Sequence, residues 1–147
     1  MKMTTDTLTV FLQDAFPQVA DDFLIVTESE DELVIEMKIS EAHLRPGGIV
    51  SGPSMFCLAD VAFYLAILRQ IGPEALTVTT NAHINFMRKP VAENLLGVPR
   101  LLKQGRVLVT GDVLIYEKRD TSRQKPVAHA VMTYSIPPQS AIRSEPE

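Results

Sequence analysis

The chain has little of what would mark several common classes of protein. A single cysteine, Cys57, in 147 residues excludes an intramolecular disulfide framework and fits a reducing compartment. Positive charge is not in excess: 14 Lys and Arg against 18 Asp and Glu leave a net charge of -4, so no basic footprint for nucleic acid is present. His43, His83 and His129 stand too far apart for metal-ligand spacing and read as surface or strand polar residues. The Thr-rich start, residues 1–10, lacks the basic stretch and apolar core of a signal peptide. The longest apolar run, Met55 to Leu68, falls short of the ~18 residues of a membrane span and contains Asp60. Internal repeats, low-complexity tracts and Gly/Ser linkers are missing as well. A cytoplasmic, soluble chain with one domain over residues 1–137 is expected, with a disordered tail at 138–147 after Pro137-Pro138.

What is present is mostly strand. Residues 6–16 suit a short amphipathic helix with Leu8, Phe11, Leu12 and Phe16 on one side, ended by Pro17. Leu24 to Thr27 and Leu33 to Ile39 predict a hairpin across the polar turn 28–31, with Glu36 and Lys38 facing away from the core. Leu76 to Phe86 alternates over its whole length. Leu76, Val78, Thr80, Ala82, Ile84 and Phe86 fall on one face, and Thr77, Thr79, Asn81, His83 and Asn85 on the other. Residues 95–103 and 107–116 predict a second hairpin across Gln104-Gly105, and residues 127–136 a last strand.

One helix, 53–70, sits between these groups, with Pro53 in its first turn and Ile71-Gly72-Pro73 ending it. Thirteen of the fourteen residues from Met55 to Leu68 are hydrophobic, so the helix is expected to be buried all round. An antiparallel twisted sheet wrapped around one central helix, an α+β arrangement, follows.

Asp60 is the lone charge in that helix. A buried carboxylate costs several kcal/mol unless it is paired, so Asp60 is either a structural residue satisfied by its neighbours or a residue kept for chemistry. Eight residues upstream, Gly47-Gly48-Ile49-Val50-Ser51-Gly52-Pro53 leads into the helix N-terminus. Free N–H groups there favour developing negative charge, although such a loop can equally be a plain cap. Eight residues of helix span ~12 Å, so one helix cannot bring Gly52 and Asp60 to one reacting carbon. Two antiparallel helices of a two-fold dimer can.

The stretch Arg45 to Pro53, followed by Leu58-Ala59-Asp60-Val61-Ala62, resembles the signature of hotdog-fold acyl-CoA thioesterases of the phenylacetate-degradation (PaaI-like) type. Asn85-Phe86-Met87-Arg88 is similar to the family's Phe-Leu-Arg-Pro strand end, and Gln104-Gly105-Arg106 to its Gly-Arg turn. The resemblance covers residues 20–137 and implies a hotdog fold, a homodimer or dimer of dimers, an acyl-CoA substrate, and no metal or redox cofactor.

It also implies roles for particular residues. Asp60 would be the nucleophile or the general base, Gly52 the oxyanion-binding N–H, and Thr79 a hydroxyl that orients water. Ser51 stands where the family has His, Pro53 where it has a second Gly, and Arg45 where it has Asn or Gln. Tyr64, one turn past Asp60, would shorten the acyl pocket. Arg88, Lys89, Arg100, Lys103 and Arg106 are the cations placed to meet the phosphates of CoA. Two other functions compete. A non-catalytic acyl-CoA or aromatic-ligand binder would account for the departures at 45, 51 and 53, and a hotdog hydratase would need an Asp-His pair that Ser51 interrupts.

Overall fold

The computed structural model describes residues 2–138, the side chain of Glu28 aside. The expected tail, apart from Pro138, lies outside the described residues.

The chain opens with α1 (Thr5–Ala15), held at its start by a reciprocal capping box between Thr4 and Thr7. Leu8 and Leu12 are its buried residues. A one-turn helix, α2 (Pro17–Ala20), follows directly, because Pro17 suits the first position of a new helix as well as it ends the old one. Then come β1 (Phe23–Ser29) and β2 (Glu32–Met37), and a 3₁₀ turn at Glu41–His43. A small hairpin of β3 (Leu44–Arg45) and β4 (Ile49–Val50), absent from the sequence reading, precedes the central helix. Gly47 and Gly48 turn this hairpin at φ 99° and 72°, a region costly for residues with a Cβ.

Helix α3 (Gly52–Ile71) is one residue longer at each end than the sequence reading. Ser51 caps it by accepting from the Ser54 N–H, and Gly72 closes it at φ 100°. The remaining strands are β5 (Val78–Phe86), β6 (Leu95–Gln104), β7 (Leu108–Glu117) and β8 (Ala128–Ser135). They complete one antiparallel six-stranded sheet of order β1-β2-β6-β7-β8-β5, with α3 packed mainly across β6, β7 and β8. This is the expected hotdog fold.

Length and apolarity alone would let α3 cross a bilayer, contrary to the expectation from its apolar run. Two thirds of it is buried against the rest of the chain, as befits a core helix. Leu58, Phe63, Leu65, Ile67 and Leu68 are fully enclosed. Burial is not uniform, however. Pro53 is exposed, and Phe56, Cys57 and Asp60 are only half-buried, so one side of the helix's N-terminal half lacks cover among the described residues.

Two further expectations need correction. Glu36 does not face away into solvent. It is 5% exposed, because Asn94 Nδ2 donates to it at 2.8 Å and Lys118 Nζ pairs with it at 3.0 Å. His43 is also buried, with its Nε2 3.3 Å from Asp22 Oδ2. On the sheet face away from α3, Asp112 accepts two bonds from Arg100 and one from His129. Burial alone would push its carboxyl up, but those bonds outweigh it and hold Asp112 below the ordinary carboxylate range. Arg100 makes this pair from an exposed position on the sheet.

Candidate active site

The site is built where α3 passes the ends of β5 and β8. The long alternation of residues 76–86 is interrupted there. Leu76 and Thr77 precede the strand, and a bulge at residue 80 shifts the register, since Thr79 pairs with Tyr134 while Asn81 pairs with Thr133. One extra residue turns the preceding side chains to the opposite face. Thr79 therefore shares the helix-facing side with Ala82 and Ile84, which pair with the inward residues Met132 and Ala130.

Thr79 Oγ1 donates to Asp60 Oδ1 at 2.6 Å. Tyr134 Oη donates to the same oxygen at 2.5 Å and lies 3.0 Å from the Asp60 carbonyl oxygen. Asp60 is thus half-buried rather than enclosed, and its charge is met by two hydroxyls instead of a cation. Oδ2 has no hydrogen-bond partner among the described residues.

Asp60, Thr79 and Tyr134 line a cavity of about 440 Å³, whose other walls include Phe16, Val61, Tyr64 and Thr77. Tyr64 is 7% exposed, and its hydroxyl donates to the Ala75 carbonyl at 3.4 Å, closing the cavity one helical turn from Asp60. Tyr134 was missed in the sequence. The available signal was that it carries the single hydroxyl in the inward row Ala128, Ala130, Met132, Tyr134.

The N-terminus of α3 holds the other candidate group, the Gly52 N–H. Pro53 has no N–H, Ser54 gives its own to Ser51 Oγ, and Met55 gives its own to the Ser51 carbonyl. Among these first-turn groups only the Gly52 N–H has no partner among the described residues. The Phe86 ring covers this corner, and a Cβ at position 52 would lie 3.3 Å from its Cζ.

Within one chain the two halves do not meet, since Gly52 and Asp60 stand eight residues apart on α3, ~12 Å along its axis. Arg45 is exposed on β3, and Ser51 is spent on capping. Arg88 and Lys89 follow β5 at the Gly52 end, with Arg88 donating to the Pro126 carbonyl at 2.7 Å. Arg106 lies in the β6–β7 turn beside Gln70 and Ile71, at the opposite end of α3. Cys57 is half-buried, and burial together with nearby Asp60 and Asp22 pushes its thiol above the ordinary range, which suits packing rather than nucleophilic attack.

Comparisons with known proteins bear on the fold and the family. A family model described as "Thioesterase superfamily" matches residues 47–123. A crystal structure from Silicibacter sp. TM1040, described as a candidate thioesterase, is 48% identical, covers 92% of this chain and 93% of its own, and superposes with a TM-score of 0.82. Zebrafish thioesterase superfamily member 2 is 24% identical over 92% of this chain and all of its own, with a TM-score of 0.77. The Escherichia coli PaaI protein from the phenylacetic acid degradation operon is 22% identical over 87% and 94%, with a TM-score of 0.71. The last two likenesses bear on the fold alone. Comparison with curated proteins gave no match. With more than half its length matched by the family model and a relative nearly half identical, the chain belongs to the thioesterase superfamily.

Proposed function

We propose that the protein hydrolyses an acyl-CoA thioester to a carboxylic acid and free CoA, acting in the cytoplasm as a dimer or dimer of dimers of one-domain chains. The observation that carries this is a carboxylate at the wall of a partly apolar cavity, in a chain whose helix N-terminus offers a Gly52 N–H with no partner among the described residues. Asp60 of one subunit takes a proton from water as the water oxygen attacks the thioester carbon, or attacks that carbon itself. Gly52 N–H of the other subunit holds the developing oxyanion, worth on the order of 3 kcal/mol. The C–S bond then breaks and the sulfur leaves as the CoA thiol with the proton that Asp60 drew from water; after direct attack, water instead cleaves the Asp60–acyl anhydride and supplies that proton. Thr79 fixes the carboxylate, and Tyr64 limits the depth open to the acyl group. Ser51 and Arg45 shape the approach to Gly52, while Arg88 and Lys89 of the subunit that offers Gly52, with Arg106 of the subunit that offers Asp60, meet the CoA phosphates.

The edge strand β5 supports the two-fold arrangement. Seven of its nine residues are exposed, and on one side its backbone N–H and C=O groups have no strand partner among the described residues. Bare edges of this length invite pairing, and pairing β5 with a second copy would bring two α3 helices together antiparallel. Sedimentation at micromolar concentration is expected to give at least twice the 16.3 kDa chain mass. A monomer would leave Gly52 and Asp60 apart and would remove the interfacial site.

The activity itself is tested with a panel of short, medium and aromatic acyl-CoAs and a free-thiol readout. Thiol release from at least one member is expected. Saturable binding of acyl-CoA with no thiol release would identify a binding protein instead.

A further inference from the structure

We infer that Tyr134 is a positioning residue for Asp60: with Thr79 it clamps Oδ1, so that Oδ2 alone is left to face the cavity and react. The inference rests on the reading of Asp60 as the reactive carboxylate. An aspartate on a helix has a soft, roughly two-fold terminal torsion, and a lone carboxylate would present either oxygen in many orientations. Here two O–H donors converge on one oxygen at 2.6 and 2.5 Å, the short range of charge-assisted bonds. They come from β5 and β8, on the sheet facing Asp60, so the carboxylate is tied across two layers of the fold.

Three features of the chain create this clamp. The bulge at residue 80 turns Thr79 inward and sets it opposite Tyr134 in the β5–β8 register. The Tyr134 ring is held between aromatic neighbours, 5.5 Å from Phe63 and 6.3 Å from Tyr64 by ring centroids. Tyr134 is also 3% exposed, and among the described residues its hydroxyl finds its acceptors on Asp60. Burial, reinforced by the Asp60 charge, pushes that hydroxyl well above the ordinary tyrosine range, so it stays a donor at every working pH. A reactive group has to be held within about 0.5 Å of its productive place, and side chains locked by their own packing do this best.

Tyr134→Phe tests the assignment, because it deletes the donor and keeps the ring that packs on Phe63 and Tyr64. The variant is expected to fold, with kcat down about tenfold and KM within about twofold of wild type. Tyr134→Phe/Thr79→Val is expected to lose more than either single change. Crystal structures of wild type and Tyr134→Phe give a readout independent of turnover. Asp60 should be singly oriented in the first and rotated or split in the second. A variant with a lower melting temperature but unchanged kcat would make the bond merely structural and overturn the inference. An unmoved carboxylate in the variant would overturn it as well, whether or not the protein hydrolyses acyl-CoA. If wild type released no thiol, the hydrolase reading would fall by itself, and the two crystal structures would still decide what holds Asp60.

Discussion

Asp60→Asn is expected to lower kcat by roughly 10²-fold or more and to leave the dimer and its melting temperature in place. The amide keeps one oxygen that can accept from Thr79 and Tyr134, so the tie between α3 and the sheet survives. Nδ2 then replaces Oδ2 toward the cavity, where it can neither take a proton from water nor attack a carbonyl. Because Asp60 is half-buried, with its charge met by two hydroxyls, neutralising it relieves little strain, and stability should stay level. A purely structural aspartate predicts the opposite pattern. Stability would fall as the two O–H donors lost a charged acceptor, while activity per folded molecule would survive. Kinetics and thermal melting on one preparation of the variant separate these outcomes.

Gly111→Ala is expected to cost about 3 kcal/mol or more of stability, near the upper end of what overpacking does. Gly111 lies on β7 under α3, opposite Leu101 at the edge of a β6 bulge. A Cβ there would overlap the backbone oxygen of Arg100 and come within 2.6 Å of Phe63 Cε1. Neither neighbour can yield. The oxygen belongs to the β6 backbone, and Phe63 is fully enclosed. Gly97→Ala is the natural comparison. Its nearest neighbours would be the Leu58 side chain at 3.1 Å and the Ala62 Cβ at 3.3 Å, tight contacts rather than overlaps, so its cost should be smaller. Urea midpoints for the two variants measure the difference. A Gly111→Ala protein as stable as wild type would contradict the close packing of α3 on β7. Domains of this size commonly hold only 5–15 kcal/mol in all, so the loss would be easily resolved.

Much of the fold was legible because its signals are local. The apolar block 55–68 flanked by Pro53 and Gly72 announces a core helix, and the runs bounded by polar or glycine turns announce the β2, β7 and β8 strands. What stayed hidden depends on contacts between distant residues. The bulge at residue 80 leaves no mark on the alternation of 76–86, yet it decides which way Thr79 points. Glu36 reads as an outward charge until Asn94 and Lys118, 58 and 82 residues away in sequence, come to cover it. Tyr134 reads as one more inward residue of a strand, since its partner lies 74 residues earlier. Asp60 and Gly52 stood out because each breaks a local rule, a charge in an apolar helix and a glycine at its start. Gly111 breaks none that a reader of strands would notice.

The most direct test of the account is hydrolysis of an acyl-CoA by the wild-type protein in water enriched in ¹⁸O, following thiol and acid together. The expected result is one free CoA thiol for each acid formed, with ¹⁸O in the new carboxyl group. Acyl-CoA that binds yet stays intact, with no thiol and no labelled acid, would contradict it.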